Sequence, residues 1–368
     1  MQKNLVKSHT NSRIPVIMSV KPLLNCLKCR PVVHFLLFFQ SLQPLAAQGD
    51  FTGVETLIKQ NQKNWGKNLV MLVNKADKQL YKYETLEFKV KATAPIGLAS
   101  SWLTAAVVMV YVDEGKISLD DPVAKYLPIF EKHLKGYVTI RQCLANTTGI
   151  GFEADNPLKL VQRKSFPTLE EEVNAYASKR EIRDNAGQAY AYNYMGLHIA
   201  ARVIEVVSKK SFDRAAAEKL FRTAGMRATT FYADKGAIDP SAGAVSTAND
   251  YMNFLLMLLN KGTVNGRKVL SEASVAELTK AHYTADLPVR SSNPPAGEGY
   301  RWAPGAWIAA ADAAGNATLM NSDGLSGTFA WVDFARGYAG LLFPAAQKDG
   351  QKRDAFLLLR DEVEDIVK

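Results

Sequence analysis

The sequence predicts an α/β chain of the α+β kind: an antiparallel sheet flanked by helices, with a mostly helical lobe inserted between its first and last strands. Two observations predict it. Strand-like patterns occur near both ends, in 68–90 and again from 300 onward. Between them, from about 116 to 290, the pattern is mainly helical, with loops rich in Gly, Asn and Pro. Strands at both ends with helices between imply one sheet completed by the two termini.

Residues 1–48 read as a leader. They carry Lys3, Lys7, Arg13, Lys21, Lys28 and Arg30 and no acidic residue. Lys21, Lys28 and Arg30 surround the approach to an apolar run, PVVHFLLFFQSLQPLAA, which ends in the small residues Ala46 and Ala47. That order predicts a secretory signal cut close to Gln48, compact when counted from Met18, and a secreted or periplasmic protein. The run is short for a span and is interrupted by His34, Gln40, Gln43 and Pro44, so membrane attachment is expected only through an uncleaved leader.

The remaining residues, 49–368, predict one domain. FTGVETLIKQNQKNW (51–65) has helical spacing. NLVMLVNKADKQLYKYETLEFKV (68–90) reads as two strands about a polar turn at Asn74–Lys78. Ala99–Glu114 is a strongly apolar helix stopped at Gly115. Helices follow at 138–146, 195–208, 211–226, 249–262 and 271–282, the last with Ser271, Ser274 and Glu277 placed for capping. RWAPGAWIAAAD, ATLMNSDG and TFAWVDFARGYAGLLFPA read as strands, and 351–368 as a closing amphipathic helix. The sheet lobe is expected over about 49–115 and 300–368, and the helical lobe over about 116–299.

Composition excludes several function classes. The formal charge is +9, but the leader holds six of those charges and leaves +3, which argues against nucleic acid as a partner. Cys26 and Cys29 lie in the leader without a second pair for zinc, and Cys143 alone cannot form an internal disulfide. Of the histidines after the leader, His133, His198 and His282, none has metal-ligand spacing. His198, on the helix after Tyr194, reads as a surface or capping residue. No metal and no cofactor is expected.

Several blocks in one order carry a resemblance. They are VDEGKISLDDPVAKYLP (112–127), VTIRQCLANTTGI (138–150), GQAYAYNYMGLHIAARVIEVVSKKSF (187–212), GMRATTF (225–231), AGAVSTANDYMNFLLMLLNKGTVNGRKVLS (242–271) and GLSGTFAWVDFARGYAGLLF (324–343). With them the chain resembles the serine β-lactamases and penicillin-binding proteins, most of all the class C β-lactamase, DD-peptidase and esterase group. The resemblance implies a β-lactamase/transpeptidase-like fold with a substrate pocket between the lobes.

It also implies three motifs in that pocket, and all three depart from pattern. The first is Ser-x-x-Lys at a helix N-terminus, where a neighbouring amine activates the hydroxyl. Trp102, Leu103 and Thr104 fix the register, so the serine place holds Leu98 and the lysine place Ser101. Ser100 lies about 200° around the helix from Leu98, whereas Ser101, at about 300°, shares its face. Both also read as small polar residues of a first helical turn. The second motif, Tyr-x-Asn, reads Tyr192-Asn193-Tyr194. The third, a Lys-Thr-Gly or His-x-Gly triplet, falls on Ser322-Asp323-Gly324. Only Tyr192 and Gly324 match. The expected pocket is therefore lined by Leu98, Ser100, Tyr194, Ser322, Asp323 and Gly324 and binds a small molecule, a peptide or a cell-wall-like ligand with no catalysis or very weak catalysis. The alternative is a serine hydrolase that uses Ser101 as a displaced nucleophile with Tyr192.

Overall fold

The computed structural model describes residues 49–76, 78–152, 166–284, 286–291, 299–322, 327–346 and 353–368, all within one compact unit. Its centre is a seven-stranded antiparallel sheet. The strand order is Arg301–Ala303, Ala306–Ala311, Ala317–Asn321, Phe329–Asp333, Tyr338–Pro344, Leu69–Lys75, Lys78–Glu84. Leu69–Lys75 pairs with Tyr338–Pro344, Leu69 opposite Pro344 and Val73 opposite Gly340, so the two ends of the domain do complete one sheet.

Both sheet faces are covered, which explains why the central strands read as apolar runs rather than as alternation. On one face Leu69, Met71, Val73, Phe329, Trp331 and Leu342 meet the helices Thr52–Gln60 and Arg353–Val367. The Trp331 ring lies flat on Gly340 of the neighbouring strand: a Cβ there would sit 2.1 Å from Trp331 Cζ2. On the other face Val70, Leu72, Ala330, Val332, Ala339 and Leu341 meet the helix Ala248–Leu259, in an apolar core that also takes in the helix Ser100–Asp113. Ser100–Asp113 is buried from Ser100 through Tyr111 on every side, the signature of a core helix.

The predicted helices form, with local adjustments. The first breaks at Asn61 into Thr52–Gln60 and Gln62–Trp65. Thr139 and Gln142 close a capping box ahead of Ile140–Leu144. The stretch 212–224 contains a π-helical segment, Ala217–Phe221, and stops at Gly225 in the left-handed region. Ser271 caps Glu272–Leu278 through the Ser274 amide. Glu277 takes no part in that cap and pairs instead with Arg141. Ala248–Leu259, from the middle of the chain, lies on the sheet, because Ala244–Thr247 just before it pairs with Thr93–Pro95. This pairing also brings the 239–244 segment to the start of Ser100–Asp113. Among the described residues, no helix is long and apolar enough to cross a membrane.

Candidate active site

The helix Ser100–Asp113 is entered through a short 3₁₀ turn, Gly97–Ala99, which leaves Leu98 half-buried one turn before Ser101. The turn is fastened from behind. Ser100 is fully buried; its Oγ donates to Gly97 O at 2.6 Å and accepts from Ala244 N at 3.0 Å. Tyr251 Oη donates to Ala99 O at 2.9 Å. Ser100 is thus a structural fastener on the side away from Leu98, as helical geometry requires.

Ser101 is buried too, and its hydroxyl donates to Ser241 O at 2.9 Å. One turn on, Thr104 Oγ1 donates to Pro240 O at 2.5 Å. The proton of the Ser101 hydroxyl therefore points at a peptide carbonyl, which is no base. Among the described residues no serine hydroxyl is hydrogen-bonded to a lysine ammonium. The Pro304–Gly305 turn also presses on Ser101: a Cβ on Gly305, whose φ is +85°, would lie 2.5 Å from Ser101 O. This contact sets the strand that carries Trp307 against the head of the helix.

Trp307 leads to the second motif. Tyr192 is nearly fully buried, its ring stacked on Trp307 at 5.5 Å and edge-on to Trp302 at 5.1 Å. Trp302 in turn donates from Nε1 to Leu144 O at 3.0 Å, tying the sheet edge to the helical segment. Asn193 does not stand in for the missing motif asparagine. Its side chain turns back, Oδ1 accepting from Met195 N at 2.9 Å and Nδ2 donating to Ala191 O at 2.6 Å. Tyr194 is half-buried at the head of the helix Met195–Ser208, edge-on to Phe152 at 5.2 Å and beside His198 at 5.1 Å.

Trp307 pairs across the sheet with Asn321, which puts Ser322 beside the strand that carries Trp307. Ser322 is buried and pinned: its Oγ accepts from Ala330 N at 3.0 Å and donates to Thr328 O at 3.3 Å. Asp323 and Gly324 lie outside the described residues. Ser101, Gly305, Trp307, Tyr192 and Ser322 are thus linked by successive contacts into one wall.

A family model for beta-lactamase matches residues 99–362, well over half of the chain. The chain belongs to the beta-lactamase family. Protein flp of Staphylococcus aureus strain MW2 is 26% identical over 191 residues, half of this chain and 36% of that protein, so the chain spans about a third of that relative's length. Among solved structures, a candidate beta-lactamase from Bacteroides dorei DSM 17855 is 25% identical with a TM-score of 0.76, covering 87% of this chain and 99% of that one. A penicillin-binding protein homologue from Pyrococcus abyssi shares the fold at 16% identity and a TM-score of 0.66, over 87% and 78% of the two chains. So does a family VIII carboxylesterase at 18% and 0.68, over 87% and 98%.

Besides Glu277, two readings of the sequence are corrected: Ser100, expected to line the pocket, is buried and bonded to Gly97 and Ala244, and His198 has a different place as well. His198 is no surface or capping residue: it is completely buried, with Nε2 3.1 Å from Asp239 Oδ1 and Nδ1 3.2 Å from Tyr176 Oη. An isolated histidine on a helix carries no sign of partners that approach from elsewhere in the chain. Sequence reading also missed Asp239 and Ser241. The only local signal was the Asp-Pro-Ser string, typical of a side-chain-stabilised turn.

Proposed function

We propose that this protein is an exported, non-catalytic member of the beta-lactamase family, whose cleft holds a small molecule or a cell-wall-like peptide without acylation. The observation that carries the reading is Leu98 at the nucleophile position, with Ser101 where the base would stand. Leu98 offers no lone pair. Acyl transfer in this scaffold needs a hydroxyl and an amine one helical turn apart. The Ser101 environment supports the same reading, because its proton is directed to the Ser241 carbonyl. Ser100 is spent on Gly97 and Ala244. Ser322, at the place of the cationic or imidazole member of the third motif, is spent on Thr328 and Ala330. Export is proposed from the basic and apolar order of residues 21–47.

The decisive experiment is intact-protein mass spectrometry after exposure to a β-lactam, and separately to a fluorophosphonate. The expected result is an unmodified mass in both. A covalent adduct on any serine would overturn the proposal. An adduct on Ser101, lost in Ser101→Ala, would establish instead a hydrolase with a displaced nucleophile.

A further inference from the structure

Behind the pocket lies a buried charged cluster that the motifs do not account for. His198 is fully buried on the helix Met195–Ser208, and both of its ring nitrogens face carboxylate oxygens. Nε2 is 3.1 Å from Asp239 Oδ1, and Nδ1 is 3.4 Å from Glu172 Oε1, itself almost completely buried. Tyr176 Oη sits 3.2 Å from Nδ1 and donates to Glu172 Oε1 at 2.5 Å. A neutral imidazole donates from one nitrogen only and would turn a lone pair toward the second carboxylate. The imidazolium donates to both, and it offsets the cost of burying the Glu172 carboxylate.

Two pocket features hang on this cluster. The Tyr194 ring lies 5.1 Å from the imidazole at 33°, within the range over which a cation is held by an aromatic face. Asp239 Oδ1 accepts, besides His198, the Ser241 amide at 2.8 Å, the Ser241 hydroxyl at 2.6 Å and the Ala242 amide at 3.1 Å. This carboxylate therefore shapes the turn whose Pro240 and Ser241 carbonyls receive Thr104 and Ser101 of the pocket helix.

We infer that His198 is a positioning residue of the cleft: an imidazolium clamped between Glu172 and Asp239 that fixes the Tyr194 ring on one side and, through the Asp239–Ala242 turn, the Ser101 side of the pocket helix on the other. Its importance for a ligand rests on the cleft being a binding pocket; its charge state does not.

Among the described residues, these groups face His198. The helix Leu169–Lys179 presents Glu172 and Tyr176, the turn presents Asp239, and its own helix presents Tyr194. The neighbouring helix Ile140–Leu144 brings no charge: its Cys143, whose backbone lies against Gly196, has a buried thiol pushed far up by burial, and its Arg141 is turned away to Asp120 and Glu277. The charged residues of 205–218 gather at the far end of the helix. Burial by itself pushes the imidazole down, but the hydrogen bonds and charges of Asp239 and Glu172 outweigh it, and the net displacement from 6.5 is upward.

The test is direct and needs no ligand. Long-range proton–nitrogen spectra of the ¹⁵N-labelled chain, with His198 assigned by comparison with His198→Gln, should show both ring nitrogens protonated at pH 7.5. His282, which burial pushes below the ordinary range, should be neutral there. Glu172→Gln keeps the shape of its side chain, and it should weaken proton binding by His198 by about tenfold or more, one pKa unit. In His198→Gln, hydrogen exchange of the Ser241 and Ala242 amides should accelerate at least about tenfold, since their acceptor loses its clamp. A neutral His198 at pH 7.5, or unchanged protection of those amides in folded His198→Gln, would overturn the inference. Neither outcome bears on whether the serines can be acylated, so the two proposals fail separately.

Discussion

Ser100 and Ser101 stand side by side at the head of the pocket helix, and their removal separates a scaffold role from a chemical one. Ser100→Ala takes away a hydroxyl that serves two buried backbone groups, Gly97 O and Ala244 N. Gly97 O keeps the Ser100 backbone amide as a donor, so it is the Ala244 amide that is left unpaired, and a buried unpaired polar group costs about 1–3 kcal/mol. Ser101→Ala strands only the Ser241 carbonyl, and a carbonyl tolerates a missing partner better than an amide does; about 1 kcal/mol is expected. Guanidinium unfolding followed by tryptophan fluorescence reads the difference as a shift in midpoint at constant slope. Esterase assays with an activated ester run alongside. The expected order is wild type, then Ser101→Ala, then Ser100→Ala in stability, with no ester turnover dependent on either serine. If Ser101→Ala were the less stable of the two, or if it abolished a turnover that wild type shows, the assignment of these hydroxyls to structure would be wrong.

Three further outcomes follow from the same geometry. The double variant Leu98→Ser with Ser101→Lys restores the motif pair on an otherwise intact helix and is expected to gain slow covalent labelling by a fluorescent penicillin; a folded double variant that stays unlabelled would show that the Tyr194 and Ser322 positions disable the cleft by themselves. Gly340→Ala drives a methyl into the Trp331 ring, and overpacking of this kind costs about 1–3 kcal/mol, read as a lowered unfolding midpoint. Stability should also depend on His198: its folded pKa is raised, so its contribution is complete below the unfolded value of about 6.5 and is lost as pH rises through the raised folded value. Melting curves of wild type and His198→Gln should therefore lie furthest apart at the acidic end of the range and converge at high pH; a constant gap would refute this linkage.

Much of the fold was legible because its signals are local. Leu69–Lys75 and Tyr338–Pro344 carry their apolar content in consecutive residues, and Gly115 and Gly225 mark helix ends by their own backbone freedom. Leu98 and Ser101 were found by counting back from Trp102, since helical spacing converts a register into a face. The π-helical segment at Ala217–Phe221 was not legible, because π and α segments have the same apolar spacing to within one residue. Nor was the seating of Ala248–Leu259 on the sheet, which depends on a pairing across about 150 residues between Thr93–Pro95 and Ala244–Thr247.

The sequence by itself determined the family resemblance, the sheet closed by both ends of the domain, and the presence of Leu98 and Ser101 at the two places where that resemblance expects a serine and a lysine. Those are properties of residue identity and of periodicity along one segment. Only the tertiary structure decided what the surviving polar residues do. Ser101 donates to the Ser241 carbonyl, Ser100 to the Gly97 carbonyl, and His198 sits between Glu172 and Asp239 because packing brought partners from 3 to 140 residues away within hydrogen-bond distance. A hydroxyl or an imidazole has no fixed role until its neighbours set its proton, and those neighbours are chosen by the fold.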